Sequence, residues 1–152
     1  MFNQFFPQRL DNTYRGCKPA LWLFTLVVSV KIAQSLGAIF NGYTTAIVAD
    51  GIPLDTFPPE AGRAVLSVFA RLGLRHLMLC LLGIFVLVRY RALIPLMFAL
   101  FLLEYLGVTL ILRFIPIIGT ATPIGSYVNL ALVALASVGL VLSLRSQGYR
   151  RT

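Results

Sequence analysis

Residues 71–91 read RLGLRHLMLCLLGIFVLVRYR, and residues 92–104 continue ALIPLMFALFLLE. Two strongly apolar segments meet at a basic corner, Arg89-Tyr90-Arg91, with Arg75, His76 and Glu104 set inside them. Drawn as antiparallel helices, they place Arg75 fourteen residues before Arg89 and Glu104 thirteen after Arg91. At roughly 1.5 Å per residue both stand about 20 Å from the corner. The hydrocarbon layer of a bilayer is about 30 Å thick, so the two charges would share one depth within it. An ionised side chain there is costly unless it faces the bundle interior and meets a partner. The spacing predicts an Arg75–Glu104 pair with His76 beside it.

The rest of the chain agrees with such a layer. Of the 152 residues, 59% are hydrophobic and 12% charged, and the mean hydropathy is +0.88. Soluble domains are nearer one quarter charged. Four segments exceed the length of about 18 apolar residues that marks a spanning helix: 20–40, 64–88, 92–114 and 124–144. They fill most of the chain, which predicts one all-α domain over 1–152, an integral membrane four-helix bundle with short loops.

The net charge of +8 is informative through its placement. Arg9, Arg15 and Lys18 precede the first span, Arg89 and Arg91 join the second to the third, and Arg145, Arg150 and Arg151 follow the fourth. Asp50, Asp55 and Glu60 lie in the loop after the first span. The positive-inside rule then puts both termini and the Arg89–Arg91 corner in the cytoplasm of a bacterial inner membrane. No basic face on a soluble module is present, so nucleic acid is not an expected partner. The N-terminus lacks the pattern of a cleavable signal peptide, and the first span reads as an uncleaved anchor. Cys17 and Cys80 fall at different levels, which argues against a disulfide or thiol-redox pair.

Further polar groups join the predicted layer. In the first span Lys31, Gln34, Ser35 and Asn41 share a helix face, and Lys31 is twelve residues past Pro19, about 18 Å in. Tyr105 follows Glu104, and Asn129 in the fourth span can reach the outward side of the same level. Small residues Ala131, Ala134, Ser137 and Gly139 permit close packing of that span. The second span, extended back to Pro58 or Pro59, would be about 45 Å long, so it either projects outward or breaks near Gly73. The apolar loop around Pro116 and Pro123 is expected to lie in the membrane interface or to re-enter slightly.

The layer Lys31, Gln34, Arg75, His76, Glu104, Tyr105 and Asn129 has two readings. As structure, one carboxylate balances the cations and fixes helix register. As a site, its excess positive charge invites an anion, a carboxylate-bearing lipid or a deprotonated Lys31, and a quinone headgroup is an alternative partner, with His76, Tyr105 and Glu104 as hydrogen-bond or proton donors. His76 is the one histidine; Met78 and Met97 are read as core packing, so no haem is expected. One histidine and one membrane carboxylate cannot complete a zinc or di-iron shell. No hydrolase, Walker or dinucleotide motif occurs, which reads against an enzyme.

The stretches ADGIPLD at 49–55, RYRALIPLM at 89–97 and LLE at 102–104 resemble uncharacterised bacterial four-helix inner-membrane proteins and, more distantly, the DoxX-like group. The latter resemblance implies a membrane partner of a quinone-linked oxidoreductase. The function expected is a non-catalytic accessory or assembly subunit of a larger inner-membrane complex, respiratory or photosynthetic in type. The alternatives are a small homo-oligomeric transporter or channel, or a quinone-linked redox membrane subunit. The partners expected are the lipid bilayer and other membrane subunits or further copies of the chain.

Overall fold

The computed structural model describes residues 12, 14, 16–116 and 124–145. Among these the regular structure is entirely helical. The principal helices are α1 (Lys18–Phe40), α2 (Pro59–Arg89), α3 (Ile94–Phe114) and α4 (Ile124–Leu144). All four are long and apolar enough to cross a membrane. Proline stands in the first turn of α1, α2 and α3, where its missing N–H costs no intrahelical bond. Helix α2 runs unbroken for 31 residues, so the break near Gly73 does not occur.

Gly73 has another role. A Cβ there would lie 2.9 Å from the Ser35 carbonyl oxygen and 3.0 Å from Ala38. Together with Gly83, which faces Phe24 and Val28, it gives α2 a smooth row on which α1 packs closely. Accordingly α1 lies between α2 and α4, α3 packs on α4, and α2 and α3 share little contact although they are consecutive. The antiparallel pair drawn for residues 71–104 is therefore splayed.

The core sits toward the end that carries Lys18, Arg89 and Arg145. Phe24 meets Phe98 edge-on, with ring centroids 5.2 Å apart, and stacks on Phe101 at 6.1 Å. Phe98 in turn lies over Gly139 of α4. The buried face of α4 is Leu132, Ala136, Gly139 and Ser143. Of the small residues expected to mediate close packing, Ala131 and Ala134 point away from it and are exposed. Met97 is buried, as expected, whereas Met78 is exposed rather than in the core. At the same end the Cys17 amide donates to the Leu142 carbonyl at 3.2 Å, supplying a partner for a terminal carbonyl of α4. Cys17 and Cys80 are both free thiols.

At the other end residues 41–58 form a compact cap. Ala46, Ile52 and Leu54 make a small core against Val65, Leu66 and Phe69 of α2. The Asp50-Gly51 turn needs glycine because Gly51 has φ of 69°, and the Tyr43 hydroxyl donates to Asp55. Burial raises the Asp50 carboxyl above its usual range. Folding then favours the protonated form, and stability is lost as pH rises from the ordinary carboxylate value toward the raised one. Asp50→Asn is expected to raise the melting temperature at pH 7 and to leave it unchanged near pH 3, as thermal unfolding at the two pH values would show. The N-terminal stretch and the loop around Pro123 lie outside the described residues.

Candidate functional site: a buried lysine–glutamate–histidine cluster

Each helix carries a row of enclosed residues at helical spacing, and each row is prolonged by a polar side chain. In α1 the row is Ala20, Phe24, Val27, Lys31, Ser35. In α2 it is Gly73, His76, Cys80, Gly83, in α3 Ile94, Met97, Phe101, Glu104, and in α4 Asn129, Leu132, Ala136, Gly139. Steps of three and four residues keep a row on one side of a helix. The periodicity that builds the core therefore delivers Lys31, His76 and Glu104 to a common point.

There Glu104 Oε2 stands 3.1 Å from Lys31 Nζ, and Glu104 Oε1 accepts a hydrogen bond from His76 Nε2 at 2.7 Å. His76 thus carries its proton on Nε2, as neutral imidazole or as imidazolium. The Lys31 side chain is 14% exposed, Glu104 23% and His76 38%. Oε2 is wholly enclosed and takes no directed hydrogen bond among the described residues, so Lys31 serves it as counter-charge. The ammonium also lies 5.4 Å from the centre of the Phe101 ring.

One carboxylate thereby ties α3 to both α1 and α2, helices with which its backbone makes few contacts. The pair expected between Arg75 and Glu104 is not formed. Arg75 is exposed and makes no ion pair among the described residues, and Lys31 occupies the position assigned to it. Consecutive residues on a helix diverge by about 100°, so when His76 faces inward Arg75 cannot.

Gln34 donates to Asn129 Oδ1 at 3.3 Å, linking α1 to α4 beside the cluster. Between α3 and α4 a shallow crevice is lined by Lys31, Phe101, Tyr105, Asn129 and Leu132. The Tyr105 hydroxyl has no hydrogen-bond partner among the described residues, and the Tyr105 carbonyl accepts from Thr109. Asn41, expected on the polar face of α1, instead ends that helix and is exposed. Among the described residues no group of three His, Cys, Asp or Glu could hold a metal ion.

Among its described residues the chain is all-helical, with four helices apolar enough to cross a membrane, three of them joined by the Glu104 carboxylate. No family model, no curated protein and no solved structure matches it.

Proposed function

We propose that the chain is a multi-pass protein of a bacterial inner membrane, a non-catalytic accessory or assembly subunit of a larger complex of respiratory or photosynthetic type. The four apolar helices support the membrane reading. Of the described basic residues, Lys18, Arg89, Arg91 and Arg145 gather at one end, while Arg63 and Arg113 stand near the other, where the acids Asp50, Asp55 and Glu60 also lie. That asymmetry supports a cytoplasmic placement of both termini and of the α2–α3 corner.

The observation that carries the non-catalytic reading is the occupation of Glu104. Both its oxygens are taken, one by Lys31 and one by His76, from two different helices. A carboxylate held in this way between two helices fixes helix register. The second half of α3 supports the subunit reading. Every residue from Val108 to Phe114 is exposed, so the helix is open on all sides there and shows Leu110, Ile111, Leu112 and Phe114, a surface suited to lipid or to neighbouring subunits.

A transporter, or a quinone-linked redox subunit, is the second reading, favoured by the 38% exposure of the His76 side chain and by the crevice at Lys31, Tyr105 and Asn129. Gentle detergent extraction of the full chain from its native membranes, with mass spectrometry and an absorption spectrum of the product, separates the two. Stoichiometric recovery with a larger assembly is expected. Recovery as a colourless homo-oligomer would overturn the subunit reading and favour transport; recovery alone with bound quinone would favour the redox alternative.

A further inference from the structure

Arg75 is the charge that the cluster leaves out. It stands on the outward side of α2 in the row Val68, Arg71, Arg75, Met78, Leu82 and Phe85, whose members recur at three or four residues and are all exposed. Along the helix it is fourteen residues from Arg89, about 21 Å. If α2 crosses a bilayer as proposed above, that depth lies inside a hydrocarbon layer of about 30 Å. Arg71, one turn further out, folds back on Ser67, with Nε donating to the carbonyl at 3.1 Å and a terminal nitrogen to the hydroxyl at 3.2 Å. Arg75 makes no hydrogen bond or ion pair among the described residues, and beyond Arg71 the row that carries it is apolar.

Among the described residues no carboxylate is placed to answer it. Of five acids, Glu104 is held by Lys31 and His76, and Asp55 is bonded by Tyr43. Asp50 lies in the cap, and Glu60 opens α2 fifteen residues before Arg75, about 22 Å away. Asp11 lies outside the described residues, seven positions before the opposite end of α1. A second copy would bring the same set, with its one carboxylate at this level already enclosed. A guanidinium is costly in hydrocarbon and is matched in shape and charge by a carboxylate that binds it through two parallel hydrogen bonds.

We propose that Arg75 and the apolar row around it form the docking face for a membrane helix of a different subunit, and that this helix brings an aspartate or glutamate at the depth of Arg75. The proposal rests on the accessory-subunit reading and gives that partner its chemistry. Because Arg75 and Met78 are exposed, changing them leaves the core and the cluster untouched.

The test uses the full chain in its native membranes. A photo-crosslinking benzoylphenylalanine replaces Met78, and recovery of the assembly is compared for wild type, Arg75→Lys and Arg75→Leu. The expected crosslink is to a helix with an acidic residue within about one turn of the crosslinked position. Recovery should fall at least about tenfold with Arg75→Leu and be largely kept with Arg75→Lys. Exchanging the charges, Arg75→Glu with that acid changed to arginine, should restore recovery. Crosslinks to lipid alone, or to a helix without an acid, would overturn the docking face. An assembly recovered undiminished with Arg75→Leu would also overturn it and leave the accessory-subunit reading standing. Wild-type chain recovered without any partner would overturn both.

Discussion

Glu104→Leu is expected to destabilise the protein by about 3–5 kcal/mol, the typical cost of removing one member of a buried ion pair. The substitution leaves the Lys31 ammonium, 14% exposed, beside an apolar side chain. It also removes the acceptor of His76 and with it both ties from α3 to α1 and α2. Folded domains hold about 5–15 kcal/mol in total, so a large part of the margin would go. The loss should appear as a lower thermal midpoint in detergent and as easier proteolysis at the Arg89–Arg91 corner, where α2 and α3 part. Lys31→Met together with Glu104→Met should recover most of the loss, because an apolar pair of similar volume replaces a buried ion pair at little cost. His76 then remains with a partly exposed ring.

Gly139→Leu should be nearly as damaging and for a different reason. A Cβ at residue 139 would overlap the Phe98 ring. That ring is fully buried and packed edge-on against Phe24, so it has no free direction in which to withdraw. Overpacking of this kind costs about 1–3 kcal/mol or more and is relieved by shifting whole helices. Here the shift would part α4 from α3. The companion change Phe98→Ala should recover part of the loss by opening the space that the introduced leucine side chain needs, a compensation that thermal unfolding of the single and double variants would measure.

Much of this was legible in the amino-acid sequence. Hydropathy alone marked four apolar segments, and the helices found extend them by a few residues at the N-terminal ends of α1 and α2. The common level of Lys31, His76 and Glu104 followed from counting 1.5 Å per residue. The partner of Glu104 did not. Depth was counted, but rotation about the helix axis was not, and Arg75 and His76 share a depth while facing about 100° apart. The signal that decides between them is the row Gly73, Cys80, Gly83, whose small residues mark the packed side of α2 and include His76 at the right spacing. The same row explains why chain neighbours did not become close neighbours. Gly73 and Gly83 draw α2 onto α1, and no comparable smooth face points from α2 to α3. On α4 the register again decides, since Ala136, Gly139 and Ser143 continue the row of Leu132 and Ala131 and Ala134 do not.

If, as proposed, the Lys31–Glu104 pair with His76 serves packing within an accessory subunit, the full chain carrying Lys31→Met and Glu104→Met in native membranes should keep wild-type abundance, stoichiometric recovery in the larger assembly and unchanged activity of that assembly. A double variant that is abundant, folded and incorporated but leaves transport or electron flow abolished would contradict that reading, and would make the cluster the working site of the protein.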